Sequence, residues 1–333
     1  MNKFITGLAV AGTMLAASTA AYAECGDIQV AEFNWASGEL LANVDKFILE
    51  AGYGCNVELV IGGTSAIFAS MNEKGQPDIA GEQWVNALRE TLDPALKEGR
   101  LHAVNKAPIL GLGEGWWIPP YTAKAHPDLK TALDIIEHPE LFPDSEDPTK
   151  GAFVGCPAGW GCQHVNNSLF RAFDMEAKGW VLVDPGSAAG LDGSIAKANE
   201  RGENWFGYYW SPTSIIGKYN MQSVPFGVDF VGDEHWNSCI VAEDCPNPQK
   251  SAWIQSEVFT IVTDKFMKEG GAEINEFLSK RVYPGPVMGA MLVYMADEQA
   301  AGEDAAVEFL TKYEDVWTTW VSEEVAAKVK GAL

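Results

Sequence analysis

Short runs of β-branched and aromatic residues alternate along this chain with stretches of helical periodicity. That alternation limits the fold more than any other feature. Residues 28–33 read as a strand, and 39–51 as an amphipathic helix with Leu40, Leu41, Val44, Phe47 and Ile48 at helical spacing. A strand over 57–61 runs into Gly62-Gly63-Thr64-Ser65, a turn with a capping residue, and predicts a helix over 66–72. Strand 78–81, a helix from about 85, and extended stretches at 101–103 and 110–117 follow. Pro119-Pro120 breaks the pattern. A second unit then reads as helix 129–136, a Pro- and Asp-rich loop to 150, strand 151–154, helix 162–172, strand 180–182, helix 193–200 and strand 204–210. Residues 226–250 read as an extended loop. Strand 257–262 and helices over 272–278, 289–297, 301–313 and 316–329 close the chain. Such alternation indicates two α/β units with mainly parallel sheets, the last strand and helices returning to the first unit. Ligands of open α/β sheets lie at the carboxyl ends of the strands. Two such sheets facing each other make a cleft.

Residues 1–23 read as an address rather than as structure. Lys3 precedes an apolar run, and the small-residue triplet Ala21-Tyr22-Ala23 follows, the pattern of a cleaved secretory signal. Glu24 separates that triplet from Cys25, which argues against a lipid anchor. The protein is expected to be exported, to a periplasm-like compartment, and not embedded in a membrane.

An oxidising compartment changes how the six cysteines read. Cys156/Cys162 and Cys239/Cys245 have the spacing of small closed loops. Cys25 and Cys55 each precede a predicted strand, so parallel neighbouring strands would bring them to the same end. The expected disulfides are therefore Cys25–Cys55, Cys156–Cys162 and Cys239–Cys245. A metal site is the rival reading, but it would want closer Cys pairs or nearby His, and the five His show no ligand spacing. Neither a metal nor a cofactor is expected.

With 46 acidic against 23 basic residues, a net charge of −23 argues against nucleic acid, which needs clustered Lys and Arg. It argues equally against docking on an anionic membrane. No phosphate loop, nucleophile elbow or zinc-protease helix is present, and the glycines of 111–115 lack the dinucleotide spacing. The acids read as solvated surface.

Twelve Trp are the unusual feature. Trp35, Trp84, Trp160 and Trp210 fall at the carboxyl ends of predicted strands or in the loop that follows one. A quaternary ammonium cannot donate hydrogen bonds, and indole faces attract it by about 0.5–2 kcal/mol per ring. Trp180, Trp253, Trp317 and Trp320 lie within periodic elements and read as core. At least one of Trp116 and Trp117 packs at the crossover between units, and Trp205 and Trp236 have no assigned place.

The stretch 154–175, VGCPAGWGCQHVNNSLFRAFDM, resembles the signature loop and helix of periplasmic glycine betaine/proline betaine-binding proteins of ABC importers. That family carries a G-C-x-x-G-W-G-C loop closed by a disulfide, matched here at Cys156, Gly159, Trp160, Gly161 and Cys162. GYYWSP, with Trp210, and DIAGEQWVNAL, with Trp84, resemble two further motifs of the family, in the same order. The resemblance implies a type II-like periplasmic binding protein with two α/β lobes, a two-segment hinge and a cleft between them. Lobe one would comprise 24–117 plus 257–333, and lobe two 118–256. It implies Trp84, Trp160 and Trp210 as a cage for the ammonium group and the Gly161 and Cys162 amides as donors to a carboxylate. A helix N-terminus suits that second task. The implied partners are a membrane permease with its cytoplasmic ATPase, and no chemistry is done on the ligand. Where the family has a carboxylate-binding His, this chain has Leu88. Arg89 is turned from it by about 100° on a helix. Trp35 is a candidate fourth wall, and Thr64, Ser65 and Asn86 are candidates to compensate at the anion end.

Glycine betaine is the default ligand, with proline betaine, choline, carnitine and dimethylsulfoniopropionate as alternatives. Choline would want a hydroxyl acceptor rather than anion donors. An exported choline-ester hydrolase would need a nucleophile and base beside Trp160, and none is evident. A structural or adhesion protein with Trp in its core would have no cleft.

Overall fold

The computed structural model describes residues 25–333, so the expected signal segment 1–23 lies outside the described residues. It contains two five-stranded sheets. The first is built from β1 (Asp27–Phe33), β2 (Asn56–Gly62), β3 (Ile79–Trp84) and β4 (Leu101–Asn105), with β10 (Val258–Thr263) inserted, in the order β2-β1-β3-β10-β4. The second is built from β5 (Gly113–Ile118), β6 (Gly151–Val154), β7 (Trp180–Val183), β8 (Gly207–Ser211) and β9 (Gln222–Val224), in the order β7-β6-β8-β5-β9.

β1 runs parallel to β2 and β3, and β6 runs parallel to β7 and β8. Helices connect these strands, as parallel crossovers require. β10, VFTIVT, is buried at all six positions, which is what an apolar run covered on both faces should do. It pairs antiparallel with β3 and β4, so the chain's return is fixed into the first sheet. β5 pairs antiparallel with β8 and β9 and therefore belongs to the second sheet. Sheet membership thus places 113–118 with the second unit, although the sequence grouped 110–117 with the first. Its glycines and paired Trp gave no cue to a partner strand. Two segments, 106–112 and 225–257, carry the chain between the sheets.

Asp27 pairs with Asn56 in the β1–β2 register, which sets Cys25 and Cys55 at the same end, and they are bonded there. Cys156–Cys162 and Cys239–Cys245 are also bonded.

Three local expectations are revised. The helix read over 316–329 is two helices, Glu314–Trp317 and Glu323–Ala332, because the Ser322 hydroxyl accepts from Val325 N–H and restarts the helix. A helix at Asp264–Glu269 went unread, and Thr263 caps it through Phe266 N–H. The loop 226–250 holds helical turns at Asp233–His235 and Trp236–Ile240, with the Cys239–Cys245 bond clasping the second.

One apolar core lies between the first sheet and its outer helices, with Val30, Leu40, Val44, Phe277 and Phe309 among its residues. A second core fills the other unit and continues across the cleft to the first sheet through Trp35, Trp160 and Trp210. Inside the first unit Arg281 and Asp45 are fully buried and lie 3.0 Å apart. The guanidinium also donates to Gly81 O at 3.1 Å and Thr260 Oγ1 at 2.8 Å, tying β3 to β10. A Cβ on Gly81 would stand 3.2 Å from Arg281 Nη1 and 3.3 Å from Asp45 Oδ2, so the glycine leaves room for the pair.

Candidate functional site

The sheets face each other across an aromatic void. Trp35 follows β1, Thr64 opens the helix Thr64–Lys74, Trp84 ends β3, and Asn86 and Ala87 follow it. From the opposite side come Glu114 on β5, Trp160, Gly161 and Cys162 of the disulfide loop, and Tyr208 and Trp210 on β8. Trp236 and Trp253 close the void from the long return segment. The positions follow from the topology, since β1, β3 and β8 all deliver their carboxyl ends to the cleft.

Three indoles form successive walls. Trp35 meets Trp160 edge to face, 5.2 Å between ring centres at 72°. Trp160 meets Trp210 at 5.1 Å and 83°. Phe33 stacks beneath Trp35 at 4.7 Å, and Tyr208 packs on Trp253 at 5.3 Å. The indole N–H groups of three walls are tied to the protein. Trp35 and Trp84 donate to Glu82 Oε1 at 2.9 and 3.0 Å. Trp160 donates to Asn34 Oδ1 at 2.9 Å, across the cleft. Donors held elsewhere leave the rings to act through their π faces, which is what a methylated cation needs.

The polar end is built by the helix Cys162–Ala172. Gly161 is its N-cap, and the Gly161 and Cys162 N–H groups donate to no protein acceptor among the described residues. Close approach explains the glycines. A Cβ on Gly161 would meet Ala87 Cβ at 2.9 Å, and one on Gly63 would meet Gly159 O at 2.9 Å. Ser65 N–H donates to Gly159 O at 3.4 Å, so Ser65 contributes a bond between the units rather than a place in the lining. Asn86 lines the void, but both ends of its amide are engaged. Nδ2 donates to Gln255 O at 3.0 Å and Oδ1 accepts from Glu257 N–H at 2.6 Å. It therefore anchors the return segment while lining the void. Leu88 is buried beside the start of the helix Arg89–Lys97, and Arg89 is paired with Asp93 and Glu257, outside the lining.

Several lining residues were not legible as such. Trp253, read as core, and Trp236, unplaced, both reach the void, where Trp253 packs on Tyr208 and Trp236 meets Trp253 edge to face. Glu114, read with the solvated acids, sits directly opposite Trp210 in the β5–β8 register and shares its face. Its Oε1 accepts from Tyr208 OH at 2.9 Å and its Oε2 from Ser256 Oγ at 3.1 Å. Burial raises its carboxyl above the usual range, while the hydrogen bonds from Tyr208, Ser256 and Trp253 pull it back. An acid between two glycines inside an aromatic strand is the one local signal that marked it. Among the described residues, His235, Cys239 and Cys245 cluster at ligand distance, but both sulfurs are spent in a disulfide.

A family model described as the substrate-binding domain of the ABC-type glycine betaine transport system (OpuAC) matches residues 26–312. Among solved structures, an ABC-transporter choline binding protein in complex with choline superposes with a TM-score of 0.72 at 17% identity, covering 92% of this chain and 98% of that one. A glycine betaine/L-proline-binding protein (ProX) from Borrelia burgdorferi gives 0.70 at 17% identity, covering 91% and 99%. Lactococcal OpuAC, closed on glycine betaine, gives 0.66 at 17% identity, covering 89% and 100%. At such identities the superpositions speak to the fold.

Proposed function

The chain belongs to the family of substrate-binding domains of ABC-type glycine betaine transport systems, and on that premise we propose that the aromatic void binds a small methylated ammonium or sulfonium compound. One observation carries this reading. Trp160 meets both Trp35 and Trp210 edge to face, and Trp84 is tied through the same carboxylate as Trp35. Glycine betaine fits the two kinds of group present, indole faces for the ammonium and the Gly161 and Cys162 amides for the carboxylate. Choline is the second reading, and Glu114 favours it. A carboxylate in the lining supplies both a counter-charge and a hydroxyl acceptor, and it would repel the carboxylate of a betaine.

Walls from both sheets imply that the ligand is enclosed when the units close. We assign lobe one to 25–105 and 258–333 and lobe two to about 113–252, with 106–112 and 253–257 as the hinge. The closed form would be presented to a membrane permease and its ATPase, and 1–23 would direct export. Membership of a family of substrate-binding domains supports capture of the ligand over hydrolysis. No described helix is long and apolar enough to cross a membrane.

Calorimetry with glycine betaine, choline, dimethylsulfoniopropionate and proline tests the proposal. Micromolar or tighter binding of a methylated cation is expected, and heat from none of them would refute it. Glu114→Gln separates the two readings. It is expected to weaken choline by about tenfold, roughly 1.4 kcal/mol, and to leave glycine betaine unchanged or tighter. An equal loss for both ligands would count against Glu114 as the selector.

A further inference from the structure

Glu82 does not line the void, yet it governs two residues that do. Its Oε1 accepts from the N–H groups of Trp35 and Trp84, and Ser37 Oγ donates to the same atom at 2.9 Å. The side chain is 1% exposed, and Oε2 has no hydrogen-bond partner. The groups acting on it are Arg281, from the connection between the helices Ala272–Lys280 and Gly285–Glu298, and the Tyr283 phenol, while Asp45 on the helix Ala36–Phe47 lies against the same guanidinium. Glu114 faces the same void from the second sheet. When all are ionised, Glu82, Asp45 and Arg281 leave one net negative charge buried behind the cage. In a medium that excludes water such a charge acts strongly on a nearby cation. An indole that donates to a carboxylate is also polarised toward a more negative ring face, which is the face a cation meets.

We propose that Glu82 is a positioning residue of the ligand site. Its carboxylate fixes the Trp35 and Trp84 rings through their N–H groups, and it supplies buried negative charge for which a methylated ammonium is the counter-ion. The inference rests on the ligand class proposed above and adds the source of its charge selectivity. Burial pushes the Glu82 carboxyl up to about 7, against the hydrogen bonds from Trp35, Trp84 and Ser37 and the charge of Arg281. The carboxyl of the empty site is therefore partly protonated near neutrality. A bound cation favours the ionised carboxylate, so binding near neutrality releases a fraction of a proton, and affinity falls as pH drops through about 7.

Choline and its neutral carbon isostere dimethylbutanol separate charge from shape. Calorimetry would follow both across about pH 5.5–8.5, in two buffers of different ionisation heat, for the wild type, Glu82→Gln and Glu114→Gln. The glutamine at 82 is expected to weaken choline by about tenfold at high pH, to weaken dimethylbutanol by less than about threefold, and to flatten the pH profile. Glu114→Gln, which removes the raised carboxyl in the lining itself, should keep the limb near pH 7. Equal losses for both probes with an unchanged pH profile would make Glu82 a strut and overturn the proposal. If Glu82→Gln does not fold, the wild type decides, since no proton release and a pH-independent choline-to-dimethylbutanol ratio would also overturn it. A wild type that binds no methylated ammonium would overturn the ligand reading, and this inference with it.

Discussion

Replacing Trp160 by alanine is expected to weaken binding of a methylated ammonium by on the order of 100-fold, roughly 3 kcal/mol. Two losses combine. The central wall of the box disappears, since Trp160 is the ring perpendicular to both Trp35 and Trp210. The bond from its Nε1 to Asn34 disappears with it, and that bond joins the two units. A cation–π contact in a desolvated site is worth up to about 2 kcal/mol and a neutral hydrogen bond about 1. Asn34→Ala isolates the second loss and should cost about fivefold. Calorimetry on folded variants, checked by circular dichroism, measures both. Full affinity in Trp160→Ala would remove this ring from the site. A large loss in Trp160→Ala with none in Asn34→Ala would show that the bridging bond contributes nothing to closure.

Arg281→Met is expected to have the largest effect on stability, a loss of about 3–5 kcal/mol. The substitution leaves Asp45 fully buried without its counter-charge and removes the bonds to Gly81 O and Thr260 Oγ1 that tie β3 to β10. Burial already raises the Asp45 carboxyl to about 6, with Arg281 pulling the other way. Without Arg281 it would hold its proton at neutral pH. The double variant Asp45→Asn/Arg281→Met should recover part of the loss, because a neutral pair carries no uncompensated charge. Urea denaturation of the three variants gives the coupling energy. A single variant as stable as the wild type would mean that the pair is dispensable to the fold. Because Glu82 lies beside the same guanidinium, the surviving protein should also bind its ligand with altered pH dependence.

The elements were legible wherever their signal is local. Val30 and Val57 mark strands and Leu40, Leu41 and Val44 a helix face because burial imposes periods of two and 3.6 on the residues themselves. The continuous helix read over 316–329 failed because a single serine cap decides where a helix restarts, and apolar periodicity does not register it. The sheet that strand β5 joins was not legible for a related reason. A strand's pattern shows that it is buried but does not name its partner.

The sequence by itself determined the alternation of elements, the cysteine spacing that matches the three disulfides, and which tryptophans follow strands. Each of these is written in neighbours a few residues apart. Only the tertiary structure decided that Trp35 stands as a wall, that Glu114 shares a face with Trp210, that Trp253 leaves the core for the void, and that Asn86 is occupied by the return segment. It also decided that Glu82 holds two indoles at once. These relations join residues from 35 to 257 through two sheets that meet only when folded. A carboxylate becomes an anchor or a counter-charge through what surrounds it, and nothing in its own stretch of chain states those surroundings.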